Sequence, residues 1–159
     1  LTINNEVDKL CAYANGREVT AEMIHEMVHA NSDVDIFKLA DAVAAMNKSA
    51  AFEALDELMS DKDNRGAVLA AITNSFLDMY RAACARSSGH SQTDVEKDFS
   101  YAWSFKVKNA FRDSSRMSVA RLRACIKILR DTNVKLNSTG ADEKTVLEQA
   151  VTQMLITKN

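Results

Sequence analysis

No proline interrupts this chain of 159 residues, and glycine occurs only four times. Both residues punctuate turn-rich β architectures, and a proline inside a helix removes a hydrogen bond at a cost of about 3 kcal/mol. A chain so poor in both can run as long helices and has few of the residues that tight sheet turns need. The apolar fraction of 47% is large enough to build a packed core. We therefore expect an all-α fold, a helical bundle of one domain or one domain with a small neighbour.

Hydrophobic spacing places the helices. The first runs from about Thr2 to Ala14, with Ile3, Val7, Leu10 and Cys11 on one side, and stops at Asn15-Gly16. Leu1 already stands inside this pattern, which points to a piece cut from a longer chain. Thr20 is a candidate N-cap for a second helix reaching about Ala30. Asn31, Ser32 and Asp33 read as a polar break, and we place the domain boundary there, giving 1–31 and 32–159. A third helix carries Ile36, Phe37, Leu39, Ala40, Val43 and Met46. A fourth carries Phe52, Leu55, Leu58 and Met59, and the short break at Asn47 to Ser49 predicts an antiparallel hairpin. The longest helix runs from about Asp63 to Arg86, followed by a loop over Ser87 to Ser91. Phe99, Tyr101 and Trp103 alternate as in a strand, but no second strand is available to pair with them, so 92–103 is expected to be a short helix and a turn. Helices from Ser104 to Asp113, Ser118 to Leu136 and Asp142 to Ile156 complete the chain.

Charge and cysteine usage narrow the function classes. Net charge is −2, yet residues 1–64 hold thirteen acids against five bases. Residues 104–130 reverse this, with Lys106, Lys108, Arg112, Arg116, Arg121, Arg123, Lys127 and Arg130 against Asp113 alone. No run approaches the roughly 18 apolar residues of a membrane span. Glu6, Asp8 and Lys9 argue against a signal peptide at the start of the chain. Cys11, Cys84 and Cys125 form no metal-type spacing; each falls on the apolar side of its helix, so we expect buried, reduced thiols and a cytosolic setting.

Two constellations carry potential chemistry. His25-Glu26-Met27-Val28-His29 satisfies HExxH, which sets two imidazoles one helical turn apart with a carboxylate to act on a zinc-bound water. A catalytic zinc needs a third protein ligand. Ser32 and Asp35 stand where the extended pattern requires glycine and histidine, and His90 is the only other histidine. We read His25, Glu26 and His29 as an incidental match, with metal, cofactor and catalytic residues all expected to be none. The second constellation is the stripe Arg116, Arg123, Lys127 and Arg130, offset from Val119, Leu122, Ile126 and Leu129 on the same helix. Such a face fits a partner subunit or a phosphate backbone, the latter with weak, non-specific contact. No GxxxxGK[ST] loop is present to cradle a nucleotide.

The order of motifs resembles a known family. Asn5-Glu6-Val7-Asp8-Lys9-Leu10, then Tyr13-Ala14, a short turn and Val19-Thr20, resembles the end of the middle domain of the bacterial DNA polymerase III delta subunit. Asp35 to Ala42 looks like the first helix of that family's C-terminal domain, and Phe76 to Arg81 falls where the family has an aromatic-basic stretch. Val107-Lys108 with Ala110, Met117-Ser118 with Leu122, Asp131 with Lys135, and Leu147-Glu148 follow in order. Lys62-Asp63-Asn64 lacks the proline often found there, and 92–106 is unusually aromatic.

The resemblance implies the end of a helical lid domain followed by a C-terminal collar domain. It implies a non-catalytic subunit of the clamp loader, which places the sliding clamp on primed DNA during replication. Expected partners are delta-prime and tau/gamma through the collar, with the clamp itself met only through an N-terminal module outside this chain. A cytoplasmic, nucleoid-associated location follows. The alternatives from the residues alone are a zinc-dependent hydrolase on His25, Glu26 and His29, or a generic helical nucleic-acid-binding module.

Overall fold

Asn15 and Gly16 both take left-handed backbone, at φ 46° and 78°, and end the first helix, α1 (Thr2–Ala14), at the expected dipeptide. The computed structural model describes residues 2–20, 23, 30–60, 65–101, 104–138 and 140–159. All regular structure in them is helical. Seven further helices follow: α2 (Ala30–Ala44), α3 (Lys48–Ser60), α4 (Arg65–Ser87), α5 (Gln92–Asp98), α6 (Ser104–Ser114), α7 (Val119–Ser138) and α8 (Glu143–Ile156). Thr20 Oγ1 accepts from the Met23 N–H at 3.3 Å, as an N-cap should; most of the expected second helix lies outside the described residues.

The expected break at Asn31 to Asp33 is not a break, because all three lie within α2. Such residues cost a helix only a fraction of a kcal/mol each. Burial of Ile36, Leu39, Ala40 and Val43 on the same helix outweighs that.

Local chemistry ends and starts the later helices. At the end of α2, Asn47 N–H donates to Ala42 O at 2.8 Å and Met46 N–H to Val43 O at 3.1 Å, with Met46 left-handed at φ 57°. This is the paired closure usually built around glycine. Asn47 Oδ1 then accepts from Ala50 N–H at 3.2 Å, so one residue closes α2 and opens α3. The same closure recurs after α4, around Gly89 at φ 77°, where His90 N–H reaches Ala85 O at 2.8 Å. It recurs after α5, around Ser100 at φ 51°, where Tyr101 N–H reaches Glu96 O at 3.1 Å. Ser91 and Asp94 form a reciprocal capping box at the start of α5. The Ser91 N–H and hydroxyl hold the Asp94 carboxyl below its ordinary pKa. The 92–103 segment is thus a short helix and turn as far as it is described.

One core joins α2, α3, α4, α6, α7 and α8. Leu39 and Val43 meet Leu55 and Met59 across the α2–α3 hairpin, where buried Ala42, Ala44, Ala51 and Ala54 let the two helices approach closely. Ile72, Phe76 and Met79 make α4 the central helix, packed on α2, α3, α5, α6 and α7. Leu122, Cys125 and Leu129 of α7 and Leu147, Val151 and Met154 of α8 close the other side. In α1, by contrast, Val7 is 49% and Tyr13 45% exposed.

The cysteine expectation needs correction. Cys125 is buried, Cys84 half-buried and Cys11 exposed. Cys11 follows the face of Val7, and α1 contributes no residue to the shared core among the described side chains. Burial pushes the Cys125 thiol up to about 11.

Candidate partner interface

α7 divides its residues by helical periodicity. Leu122, Cys125, Leu129 and Thr132 point into the core, while Arg123, Lys127 and Arg130, at i, i+4 and i+7, are exposed along one line. Arg123 lies against Tyr80 of α4. Its Nη2 donates to the tyrosine oxygen at 3.2 Å and its Cζ sits 6.0 Å from the ring centre. The bond to Tyr80 raises the Arg123 pKa further. Arg130 pairs with adjacent Asp131 at 2.7 Å, both side chains more than half exposed. Among the described residues no hydrogen bond or ion pair engages Lys127.

Arg116 does not continue the stripe. It stands in the turn before α7 and pairs with Asp41 of α2 at 2.8 Å. The periodic spacing of Arg116 with Arg123 requires a helix that has not yet begun at that residue. Of two neighbouring bases, Arg121 is withdrawn from the surface and Arg112, although exposed, is held by a carboxylate. Arg121 is 1% exposed and donates to the Val43 and Ala44 carbonyls at 2.8 and 3.3 Å. Arg112 holds the buried Asp113 carboxylate through Nε at 2.7 Å and Nη2 at 3.1 Å, and that bond raises the Arg112 pKa. Arg86 of α4 likewise donates to the Phe111 and Ser114 carbonyls at the end of α6, at 3.1 and 3.0 Å. Arg121, Arg112 and Arg86 are therefore structural anchors.

Sequence reasoning also missed the crevice beside the stripe. Between α4 and α7 lies a groove of about 620 Å³, lined by Leu69, Asn74, Ile126, Leu129 and Leu136, with Arg130 on its edge. The signal for it was indirect: Ile126 and Leu136 continue the apolar face of α7 yet are only partly buried.

The aromatic segment has a structural job. The Tyr101 hydroxyl donates to Asp78 of α4, and Arg81 Nη1 bonds both Asp78 and the Tyr101 oxygen, at 2.9 and 3.0 Å. Arg81 also lies 4.6 Å from the ring centre of Phe99. Burial, then the Asp78 carboxylate, push Tyr101 up to about 12.

His25, Glu26 and His29 lie outside the described residues, as does Trp103. Among the described residues no group of three or more His, Cys, Asp or Glu side chains is placed to hold a metal ion. Nor is any described helix long and apolar enough to cross a membrane.

The comparisons with known proteins bear on this geometry. The structure superposes on that of a Bacillus subtilis DNA clamp loader delta protein (YqeN) with a TM-score of 0.76 at 21% identity, covering 95% of this chain. The chain spans only 44% of that protein's length. No curated protein matches the sequence. The family described as DNA polymerase III delta subunit, C-terminal domain, matches residues 33–154, which takes in nearly all of α2 to α8. The chain therefore belongs to the family of the DNA polymerase III delta subunit, as its C-terminal domain.

Proposed function

We propose that this chain is the part of a delta subunit that holds a clamp loader together. In this reading residues 32–159 form the collar domain and 1–31 the end of a helical lid. The collar joins delta-prime and tau/gamma subunits in the cytoplasm, near the nucleoid, so that the assembly can place a sliding clamp on primed DNA. The chain itself performs no reaction. The observation that carries the reading is the family match across residues 33–154, on a fold in which six of the described helices share one core. Rigid bundles with unlike side faces suit heterologous contacts between different neighbours. The acidic α2–α3 hairpin and the cationic line on α7 supply that difference in charge, which favours one orientation of assembly over others.

The direct test is size-exclusion chromatography with light scattering, mixing this chain with delta-prime and tau/gamma of the same organism. A stable co-eluting complex is the expected result. A folded, helical chain that stays alone would sink the assignment.

A further inference from the structure

We propose that the α4–α7 groove is the docking site for an acidic amphipathic helix of a neighbouring protein subunit, an inference that rests on the assembly role above. The floor is apolar, made by Leu69 of α4 and Ile126, Leu129 and Leu136 of α7. One lip is cationic. Arg130 lines it, and Arg123 and Lys127 continue the exposed row along α7; Glu143 is the acid among the lining residues. On a helix of 100° per residue this line lies directly beside the groove-facing positions 126, 129, 133 and 137. The stretch from 123 to 137 is about 21 Å long, or about four turns of a docked helix. The Arg130–Asp131 pair is exposed at 68% and 55%. A pair so exposed is worth little, so Arg130 can exchange its partner at small cost.

The two features together select the occupant. A polynucleotide would use the cationic lip and leave the apolar floor unfilled. An uncharged apolar segment would fill the floor and gain nothing from the exposed cations Lys127 and Arg130 beside it. A helix with apolar residues at three- and four-residue steps and carboxylates along one flank satisfies both, in the helix-in-groove mode of recognition.

The test uses the whole chain assembled with the other loader subunits of the same organism, with a photo-crosslinking benzoylphenylalanine replacing Asn133, an exposed residue lining the groove. The expected crosslink is to one protein subunit, at a segment with acidic and apolar faces. Lys127→Glu with Arg130→Glu, and separately Asn133→Trp to plug the groove, should each weaken that subunit's binding at least about tenfold. Their thermal unfolding should match the unsubstituted chain. Crosslinking only to DNA, or only to a second copy of this chain, overturns the proposal. So does assembly of both variants at unchanged affinity, and in that case the collar reading survives. If the unsubstituted chain fails to assemble with any loader subunit, the assembly role itself falls and the docking site with it.

Discussion

The guanidinium of Arg121 donates through Nη2 to the carbonyl of Val43 across 2.8 Å, joining residues 78 apart in the chain. Its Nη1 reaches the Ala44 carbonyl at 3.3 Å, so one side chain of α7 caps the end of α2 inside the core. The last carbonyls of a helix have no partner within it and carry its negative dipole end. A fixed planar cation answers both needs at once. Arg121→Met should cost about 2–3 kcal/mol, because the buried Ala44 carbonyl loses its donor. Arg121→Lys should recover only part of that, since an ammonium lacks the two-pronged geometry. Urea denaturation of both variants checks this; losses under about 1 kcal/mol for Met would mean the carbonyls find other donors.

Met46 offers a stabilising change. It holds φ 57° at the closing position of α2 and is 46% exposed. A side chain in left-handed backbone is strained, and glycine is not. Met46→Gly should therefore raise stability by about 0.5–1 kcal/mol, read as an upward shift of the melting temperature. A lower melting temperature would show that Met46 packs more than its exposure indicates.

The two leucine-face positions of α7 should separate. Leu122 is fully buried, whereas Ile126 is only partly buried beside the groove. Leu122→Ala should cost about 2–5 kcal/mol. Ile126→Ala should cost clearly less, on the order of 1 kcal/mol, because less area is withdrawn from water. Equal losses in chemical denaturation would argue that the groove is closed.

Alkaline pH should weaken the α4–α5 corner. Tyr101 is raised from 10.0 to about 12 by burial first and by Asp78 next. Below pH 10 the phenol is neutral in both folded and unfolded chains, and the stabilisation is fully present. Between about pH 10 and 12 the unfolded chain releases the proton and the folded one retains it, so stability falls as pH rises. Tyr101→Phe should remove that share of the slope. Melting curves of both proteins at pH 9 and 11 would test it, and parallel losses would assign the pH dependence to other groups.

Much of the architecture was legible without coordinates because helices are written in local terms. The stop at Asn15-Gly16, the loop around Gly89, the hairpin at Asn47 and the two faces of α7 all follow from residue type and a 3.6-residue period. The same local rules misread Asn31 to Asp33, where burial further along α2 outweighs a weak propensity. They placed Cys11 in a core that α1 does not enter among its described side chains.

The candidate interface was legible only in part. Arg123, Lys127 and Arg130 share an exposed face because spacing within one helix decides it. Arg116, Arg121 and Arg112 look identical to them in sequence, yet they bind Asp41, the end of α2 and Asp113. Sequence by itself determined where helices begin, end and turn their apolar sides, since those depend on neighbours within a few residues. Only the tertiary structure decided which cations the fold engages, because a guanidinium becomes an anchor when packing brings unpartnered carbonyls or a carboxylate within hydrogen-bonding reach, and no local pattern records that meeting.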